Sequence, residues 1–250
     1  MVLGIGNDRT KLTSFLSVTV IICIVSPTKS YGIDDKPEVY TTNGIVVGRL
    51  ISTPNDWQGY AFQGIPYAEA PIGKRRFQPA VPKHAWREPI VANASGPGCV
   101  GLLVHHEIPY NEDCLSLDVY TPVQNLSSEL LLYPVMLYLY GGYWDFGSTN
   151  DYKPEILVDN FVRRGVVVIV INYRMNVFGF FSTGTNDAPG NMAITDMILA
   201  LKWTQNEITR FGGDPNKVTI QGESSGGRAV SALTLTPLSK GSSVYKLCLF

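Results

Sequence analysis

The sequence contains little charge, and neither sign is in excess. Of its 250 residues, 20 are Lys or Arg and 21 are Asp or Glu, so that 16% of the chain is charged while 45% is hydrophobic. There is no block of like charge, and nothing favours nucleic acid or an anionic membrane as a partner. The composition is that of a protein with a large core, and it fits a small neutral substrate better.

No hydrophobic run is long enough to span a bilayer, which needs about 20 apolar residues. The best candidate covers residues 15–25, follows a basic stretch and precedes the small-x-small pattern Thr28-Lys29-Ser30. This order predicts a signal peptide over residues 1–30, cleaved before Tyr31, and therefore a secreted or extracellular protein. An uncleaved signal anchor is the alternative.

Cysteine is also scarce, with four residues in the chain. Cys23 leaves with the signal peptide, whereas Cys99, Cys114 and Cys248 remain in an oxidising compartment. Cys99 and Cys114 are the natural pair, because closing a loop of this size stabilises a fold by about 3 kcal/mol. Cys248 is left over.

Two glycosylation sequons agree with secretion. They are Asn93-Ala94-Ser95 and Asn125-Leu126-Ser127, which makes Asn93 and Asn125 candidates for modification. Such triplets arise often by chance, so they only support the prediction of a secreted protein.

Strand and helix patterns alternate in the second half of the chain. Between residues 45 and 70, short apolar stretches broken by Gly and Pro indicate strands and turns. Further on, the patterns predict strands at 135–140, 166–171 and 217–221, and helices at 154–164, 194–208 and 225–233. This alternation predicts an α/β fold whose mostly parallel sheet carries helices on both faces and an active site at the carboxyl ends of its strands.

The pattern Gly-x-Ser-x-Gly occurs at Gly222-Glu223-Ser224-Ser225-Gly226, after a predicted strand and before a predicted helix. Such a turn is the setting of a nucleophile elbow, which presents a serine hydroxyl above the sheet. The glycines at 222 and 226 let the backbone close without a Cβ clash. Ser224 is therefore the predicted nucleophile, and a glycine-rich strand end with a solvated serine is the alternative.

Acyl transfer also needs backbone N–H groups that point at the developing oxyanion. Gly141 and Gly142 follow the strand predicted at 135–140, in the segment Tyr140-Gly-Gly-Tyr-Trp144. This segment is similar to the glycine-rich oxyanion loop of esterases, and a simple strand-terminating turn is the alternative.

Many separate blocks of the chain resemble the type B carboxylesterase and cholinesterase family, in order and over nearly all of the chain from residue 31 to about residue 240. The blocks are Phe62-Gln-Gly-Ile-Pro-Tyr-Ala68, Pro71-Ile-Gly-Lys-Arg-Arg-Phe77, Glu112-Asp-Cys-Leu115, Asn172-Tyr-Arg174 with Gly179-Phe180, Gly190-Asn191, Asp196, Ala200-Leu-Lys-Trp203, Phe211-Gly-Gly-Asp-Pro215 and Gly222-Glu-Ser224.

The resemblance implies an α/β-hydrolase fold. It also implies that residues 31–250 are the N-terminal half of a carboxylesterase type B domain. It implies Ser224 as the nucleophile and an oxyanion hole made by the N–H groups of Gly142, Tyr143 and Ser225. It further implies an enzyme that needs no cofactor and no metal and that acts on a small-molecule ester.

The resemblance also implies two structural pairs. One is a disulfide between Cys99 and Cys114, and the other is a buried ion pair between Arg76 and Glu112. Pairs of this kind hold loops in place and perform no catalytic step.

Two departures from the family pattern concern the active site. Tyr143 stands where esterases of this family usually carry a third glycine or an alanine, and its side chain is expected to crowd the acyl pocket or tilt its N–H group away from the oxyanion. The loop between Cys99 and Cys114 contains no Trp, the residue that choline-ester enzymes use there to bind a cation, which disfavours a choline substrate.

The triad of this fold runs Ser, acid, His, yet residues 225–250 contain no Asp, Glu or His. The histidines, at 84, 105 and 106, all lie upstream and are interpreted as surface or loop residues. We therefore expect a chain that is truncated after the elbow and inactive by itself, because a serine without a base is a poor nucleophile.

Two functions remain open at this point. The first is a secreted serine carboxylic-ester hydrolase, and the second is a non-catalytic, neuroligin-like adhesion protein of the same fold, which would have a protein partner. The presence of Ser224 favours the hydrolase, since neuroligin-like proteins generally lack that serine.

Overall fold

The structure is a computed structural model that describes residues 34–102, 107–123 and 131–239, together with the backbone of 245–249. The signal peptide predicted at residues 1–30 lies outside the described residues. The strands are β1 (Glu38–Tyr40), β2 (Ile45–Val47), β3 (Arg49–Ser52), β4 (Gln58–Pro66), β5 (Ile90–Val91), β6 (Gly98–Cys99), β7 (Tyr110–Asn111), β8 (Ser116–Pro122), β9 (Tyr133–Leu139), β10 (Val167–Ile171), β11 (Gly213–Glu223) and β12 (Tyr245–Leu249). The α-helices are α1 (Pro154–Asn160), α2 (Asn176–Phe180), α3 (Met192–Glu207) and α4 (Ser225–Leu235).

A seven-stranded sheet has the strand order β12-β11-β9-β10-β8-β4-β3. From β12 to β10 neighbouring strands run parallel, whereas from β10 to β3 they run antiparallel. The prediction of a mostly parallel sheet is therefore wrong for the described residues, where the sheet is mixed. Only residues 53–57 join β3 to β4, which is too short for the crossover that parallel neighbours require.

The elements predicted for the parallel half are present with shifted ends. The strands predicted at 135–140, 166–171 and 217–221 correspond to β9, β10 and β11, and the helices predicted at 194–208 and 225–233 correspond to α3 and α4. The helix predicted at 154–164 is shorter, because α1 ends at Asn160 and a 3-10 turn follows over Val162–Arg164. Gly165, at φ 75°, then terminates that turn in the left-handed conformation that glycine favours.

The core lies on both faces of the sheet. All of β10 is buried, and successive residues of a strand point to opposite faces, so both faces are covered there. The apolar face predicted for α3 is buried at Met197, Ile198 and Leu201 and half-buried at Ile194. Where the structure describes the chain, no helix combines the length and the apolar character that a membrane crossing requires.

Candidate active site

Ser224 lies at the turn between β11 and α4. Because β11 ends at Glu223 and α4 begins at Ser225, a single residue makes the change of direction. Its backbone has φ 55° and ψ −121°, a conformation that residues with a Cβ rarely adopt. Strain of this kind clusters at active sites, and here it accompanies a serine that is exposed to solvent.

Two glycines allow this turn to close. A Cβ on Gly222 would overlap the backbone of Gly226, and a Cβ on Gly226 would overlap the carbonyl oxygen of Leu139 at the end of β9. These obstacles are backbone atoms of a packed sheet and helix, which cannot move aside as a flexible side chain can. The turn therefore requires glycine at both positions.

The loop that follows β9 lies against the same turn. A Cβ on Gly141 would come within 3.0 Å of the Cβ of Ser224, so the absence of a side chain permits the close approach. The N–H of Trp144 donates a hydrogen bond to Oγ of Ser225, with a nitrogen–oxygen distance of 3.3 Å. The structure therefore brings the predicted oxyanion loop alongside both serines.

Three successive residues of this loop have positive φ angles, at 110° for Gly142, 57° for Tyr143 and 66° for Trp144. In the described part of the chain, the N–H groups of Gly142 and Tyr143 donate to no other protein group. The side chain of Tyr143 is 83% exposed, so its ring is not packed into a pocket beside the turn. The crowding of the acyl pocket expected from Tyr143 stays a prediction.

The base of the loop is held by buried polar side chains. The ring of Tyr140 stacks on that of Tyr173 with a centroid distance of 4.7 Å. The hydroxyl of Tyr173 donates to the carbonyl oxygen of Tyr140, and the hydroxyl of Tyr140 donates to Oδ1 of Asn172 at 3.2 Å. All three residues are buried, so these hydrogen bonds fix the point where β9 gives way to the loop.

Two partly buried tyrosines and the carboxylate of Glu223 lie near the turn. Burial raises the pKa of Tyr138 and of Tyr152, and the negative charge of Glu223 raises both further. Their rings meet edge to face with a centroid distance of 5.3 Å. Both therefore stay neutral near pH 7, and Glu223 is the charged group that adjoins Ser224 in the chain.

Among the described residues, no histidine forms a hydrogen bond with Ser224. The histidine that the structure describes, His84, has Nδ1 at 2.9 Å from Oε1 of Glu69, and its backbone N–H donates to the same oxygen. The backbone hydrogen bond contributes most, and together the two contacts lower the pKa of Glu69 to about 2. The other histidines, His105 and His106, lie outside the described residues. Nor do three or more His, Cys, Asp or Glu side chains cluster as a metal site would require, so far as the described ranges extend.

A model of the carboxylesterase family matches residues 35–247 of the chain. The chain belongs to the carboxylesterase family. The family predicted from the sequence is thus confirmed, with the α/β-hydrolase fold that it implies. Carboxylesterases are among its curated relatives, which supports the lineage predicted from the sequence.

Three curated relatives illustrate the similarity. The chain is 39% identical over 210 residues to Venom carboxylesterase-6 of Apis mellifera, covering 82% of this chain and 37% of that protein. It is 38% identical over 241 residues to Carboxylesterase 1E of Mus musculus, covering 90% and 42%, and 40% identical over 214 residues to Acetylcholinesterase-1 of Trittame loki, covering 82% and 38%. The chain thus spans about two fifths of the length of these relatives.

The two structural pairs implied by the family resemblance are both present. Cys99 and Cys114 form a disulfide with a Cα–Cα distance of 5.0 Å. Arg76 donates to both carboxylate oxygens of Glu112, at 2.5 and 2.7 Å. The expectation that this ion pair is buried is wrong, since the side chains are 42% and 24% exposed, because the loop that carries Glu112 lies at the surface.

Of the two glycosylation candidates, Asn93 lies within the described residues and Asn125 does not. Asn93 is exposed, which leaves room for a glycan, while the hydroxyl of Ser95 in the same sequon donates to Asp118 inside the protein. Asn125 lies outside the described residues. Modification of either residue stays a prediction.

Several residues around the site carry no local sequence signal. Asn172 lies within a block that resembles the family, but its hydrogen bonds, like the contact between Trp144 and Ser225, do not follow from the sequence. Asp145 likewise stands in no recognised pattern, although its carboxylate contacts two other segments of the chain. These contacts join residues far apart in sequence, which local patterns do not reveal.

Proposed function

We propose that the chain carries the nucleophile of a secreted serine carboxylic-ester hydrolase and that Ser224 is this nucleophile. The observation that carries the proposal is the position of Ser224, alone and exposed in a strained turn between β11 and α4. The glycines around it and the adjoining oxyanion loop suit acyl transfer.

In the proposed reaction, Oγ of Ser224 attacks the carbonyl carbon of an ester while its proton passes to a base. The N–H groups of Gly142, Tyr143 and Ser225 donate to the oxyanion of the tetrahedral intermediate. Collapse of the intermediate expels the alcohol, which takes up the proton from the base. Water then attacks the acyl group on Ser224 and releases the carboxylic acid.

Under this proposal the base and its acid partner lie outside the described residues, because the triad of this fold runs Ser, acid, His along the chain. We expect residues 31–250 alone to show no turnover, since an unassisted serine hydroxyl is a poor nucleophile. Activity belongs to a polypeptide that also supplies the triad acid and histidine.

The proposed substrate is a small neutral ester. The loop closed by the Cys99–Cys114 disulfide contains no Trp that could bind a quaternary ammonium group. The balanced charge of the chain gives no reason to expect a strongly charged substrate. We therefore expect chromogenic acetate and butyrate esters to be hydrolysed in preference to choline esters.

The test is ester hydrolysis by the full-length protein, by its Ser224→Ala variant and by Ser52→Ala, which removes an exposed hydroxyl from β3 as a control. Turnover should fall by about a thousandfold or more in Ser224→Ala and stay unchanged in Ser52→Ala. Equal turnover in Ser224→Ala and the unmodified protein would overturn the proposal. A soluble, folded full-length protein without ester turnover would favour the adhesion alternative.

Secretion is supported by the disulfide, because such bonds persist in oxidising compartments. Expression in animal cells should place the protein in the medium with Tyr31 at its N-terminus. Asn93→Gln should remove one glycan-dependent mass increment. A protein retained in the cytosol with Met1 or Val2 at its N-terminus would contradict this localisation.

A further inference from the structure

The oxyanion loop holds two consecutive non-glycine residues in the left-handed region. The φ angles are 57° at Tyr143 and 66° at Trp144, a conformation that brings Cβ close to the following carbonyl oxygen and is therefore unfavourable for residues with a side chain. Such conformations persist only where the surrounding structure enforces them. The exposed ring of Tyr143 provides little anchorage, so other contacts must fix the loop.

Trp144 is anchored from two sides. Its N–H donates to Oγ of Ser225 at 3.3 Å, and its carbonyl oxygen accepts from the N–H of Asn176 at 2.7 Å. Its indole ring meets the ring of Phe180 edge to face, with a centroid distance of 5.0 Å. The first turn of α2 is therefore one support of the loop.

Asp145 connects the loop to two other segments through a single carboxylate oxygen. Oδ1 of Asp145 accepts from Nδ2 of Asn176 at 2.7 Å and from the N–H of Leu102 at 2.8 Å. Leu102 belongs to the loop that the Cys99–Cys114 disulfide closes. A Cβ on the neighbouring Gly101 would overlap the carbonyl oxygen of Asp145, so the two backbones also meet directly.

We propose that Asp145 is a positioning residue for the oxyanion hole, acting through the backbone of Tyr143 and Trp144. This inference rests on the proposed function of the site. Without the carboxylate, Nδ2 of Asn176 and the N–H of Leu102 lose their acceptor. Of the hydrogen bonds described on this side of the loop, only the backbone contact between Asn176 and Trp144 remains, so the left-handed residues relax. The N–H of Tyr143 then turns away from the position of the oxyanion, although Ser224 is untouched.

The two donors are neutral N–H groups on one oxygen, so a neutral acceptor of the same shape should replace the carboxylate. Asp145→Asn retains Oδ1 as an acceptor, whereas Asp145→Ala removes it. Asn176→Gly removes the partner amide and keeps a residue that tolerates its φ of 50°. These three variants separate the loss of the contact from the loss of charge.

The experiment combines ester kinetics with amide hydrogen exchange of the segment 141–147, in the full-length protein. We expect kcat to fall roughly 10- to 100-fold in Asp145→Ala with KM changed less than about threefold, which is less than the roughly 100- to 1,000-fold cost of removing an oxyanion donor because the N–H of Tyr143 is displaced and not removed. Asp145→Asn should stay within about threefold of the unmodified kcat, since one such hydrogen bond is conserved. Asn176→Gly should be intermediate, and Asp56→Asn at an exposed turn should leave kcat unchanged.

Exchange in the segment 141–147 should be faster in Asp145→Ala and near the unmodified rate in Asp145→Asn. An unchanged kcat in Asp145→Ala, or equal losses in Asp145→Ala and Asp145→Asn, would overturn the positioning role. If neither the unmodified protein nor any variant hydrolyses esters, the proposed function fails. Hydrogen exchange still tests whether Asp145 anchors the loop. Faster exchange in Asp145→Ala supports it, and unchanged exchange overturns it.

Discussion

Asp118 is a carboxyl group in the middle of β8 with no exposed surface. Its oxygens accept from the N–H of Gly64 at 2.8 Å and from the hydroxyls of Ser95 and Tyr120. Burial raises its pKa to about 6, and these hydrogen bonds offset only part of that effect. A carboxylate in such a place is stable only because its partners are in position.

The raised pKa gives the stability of the protein a defined dependence on pH. An Asp in the unfolded chain has a pKa of 3.8, so the folded state binds this proton more tightly. The stability that the proton contributes is complete below the unfolded pKa and is lost as the pH rises through about 6. The free energy of unfolding that is lost over this pH range is about 3 kcal/mol.

We expect Asp118→Asn to abolish this dependence, because an amide accepts from Gly64 and does not titrate. The free energy of unfolding of the unmodified protein, taken relative to Asp118→Asn, should fall by roughly 2–3 kcal/mol between about pH 4 and pH 7. Urea denaturation at several pH values measures it, with Asp56→Asn as a control that keeps the unmodified profile. A constant difference across this range would refute the assignment.

A buried ion pair joins the segment that follows β10 to α3. Arg174 donates to both carboxylate oxygens of Asp196, at 2.8 and 2.7 Å, and the side chains are 3% and 0% exposed. The pair of Arg76 and Glu112 has the same bidentate geometry but lies partly in solvent. The chain thus contains two matched ion pairs that differ mainly in burial.

Removing one partner should therefore have unequal effects. Arg174→Met leaves the carboxylate of Asp196 buried and uncompensated, which should cost about 3–5 kcal/mol of unfolding free energy. Arg76→Met should cost about 1 kcal/mol or less, as exposed pairs do. The double variant Arg174→Met/Asp196→Leu should recover much of the loss. Equal midpoints of urea denaturation for Arg174→Met and Arg76→Met would contradict this account.

Across the whole molecule, the sequence predicts that half of the sheet whose structure follows from local sequence patterns. The β-branched run of β10, the helical period of α3 and the glycines around Ser224 each act within a few residues, so their structures could be predicted. The strained turn at Ser224 follows from the same local motif.

The rest depends on contacts between distant residues. The pairing of β8 with β10 joins segments about fifty residues apart, and no local period distinguishes an antiparallel neighbour from a parallel one. The burial of the Arg76–Glu112 pair was mispredicted because it depends on what packs above the pair. Asp145 was missed because its partners come from two other loops.

The central claim is that Ser224 is the residue that forms the acyl-enzyme. A fluorophosphonate reacts with an activated serine and leaves a stable adduct, and trypsin releases Ser224 in the peptide Val218–Arg228, which also contains Ser225. Fragmentation of that peptide from the labelled full-length protein should place the adduct on Ser224 alone, with no labelling of the peptide in Ser224→Ala. An adduct on Ser225 or on another peptide, or equal labelling of Ser224→Ala, would contradict the account.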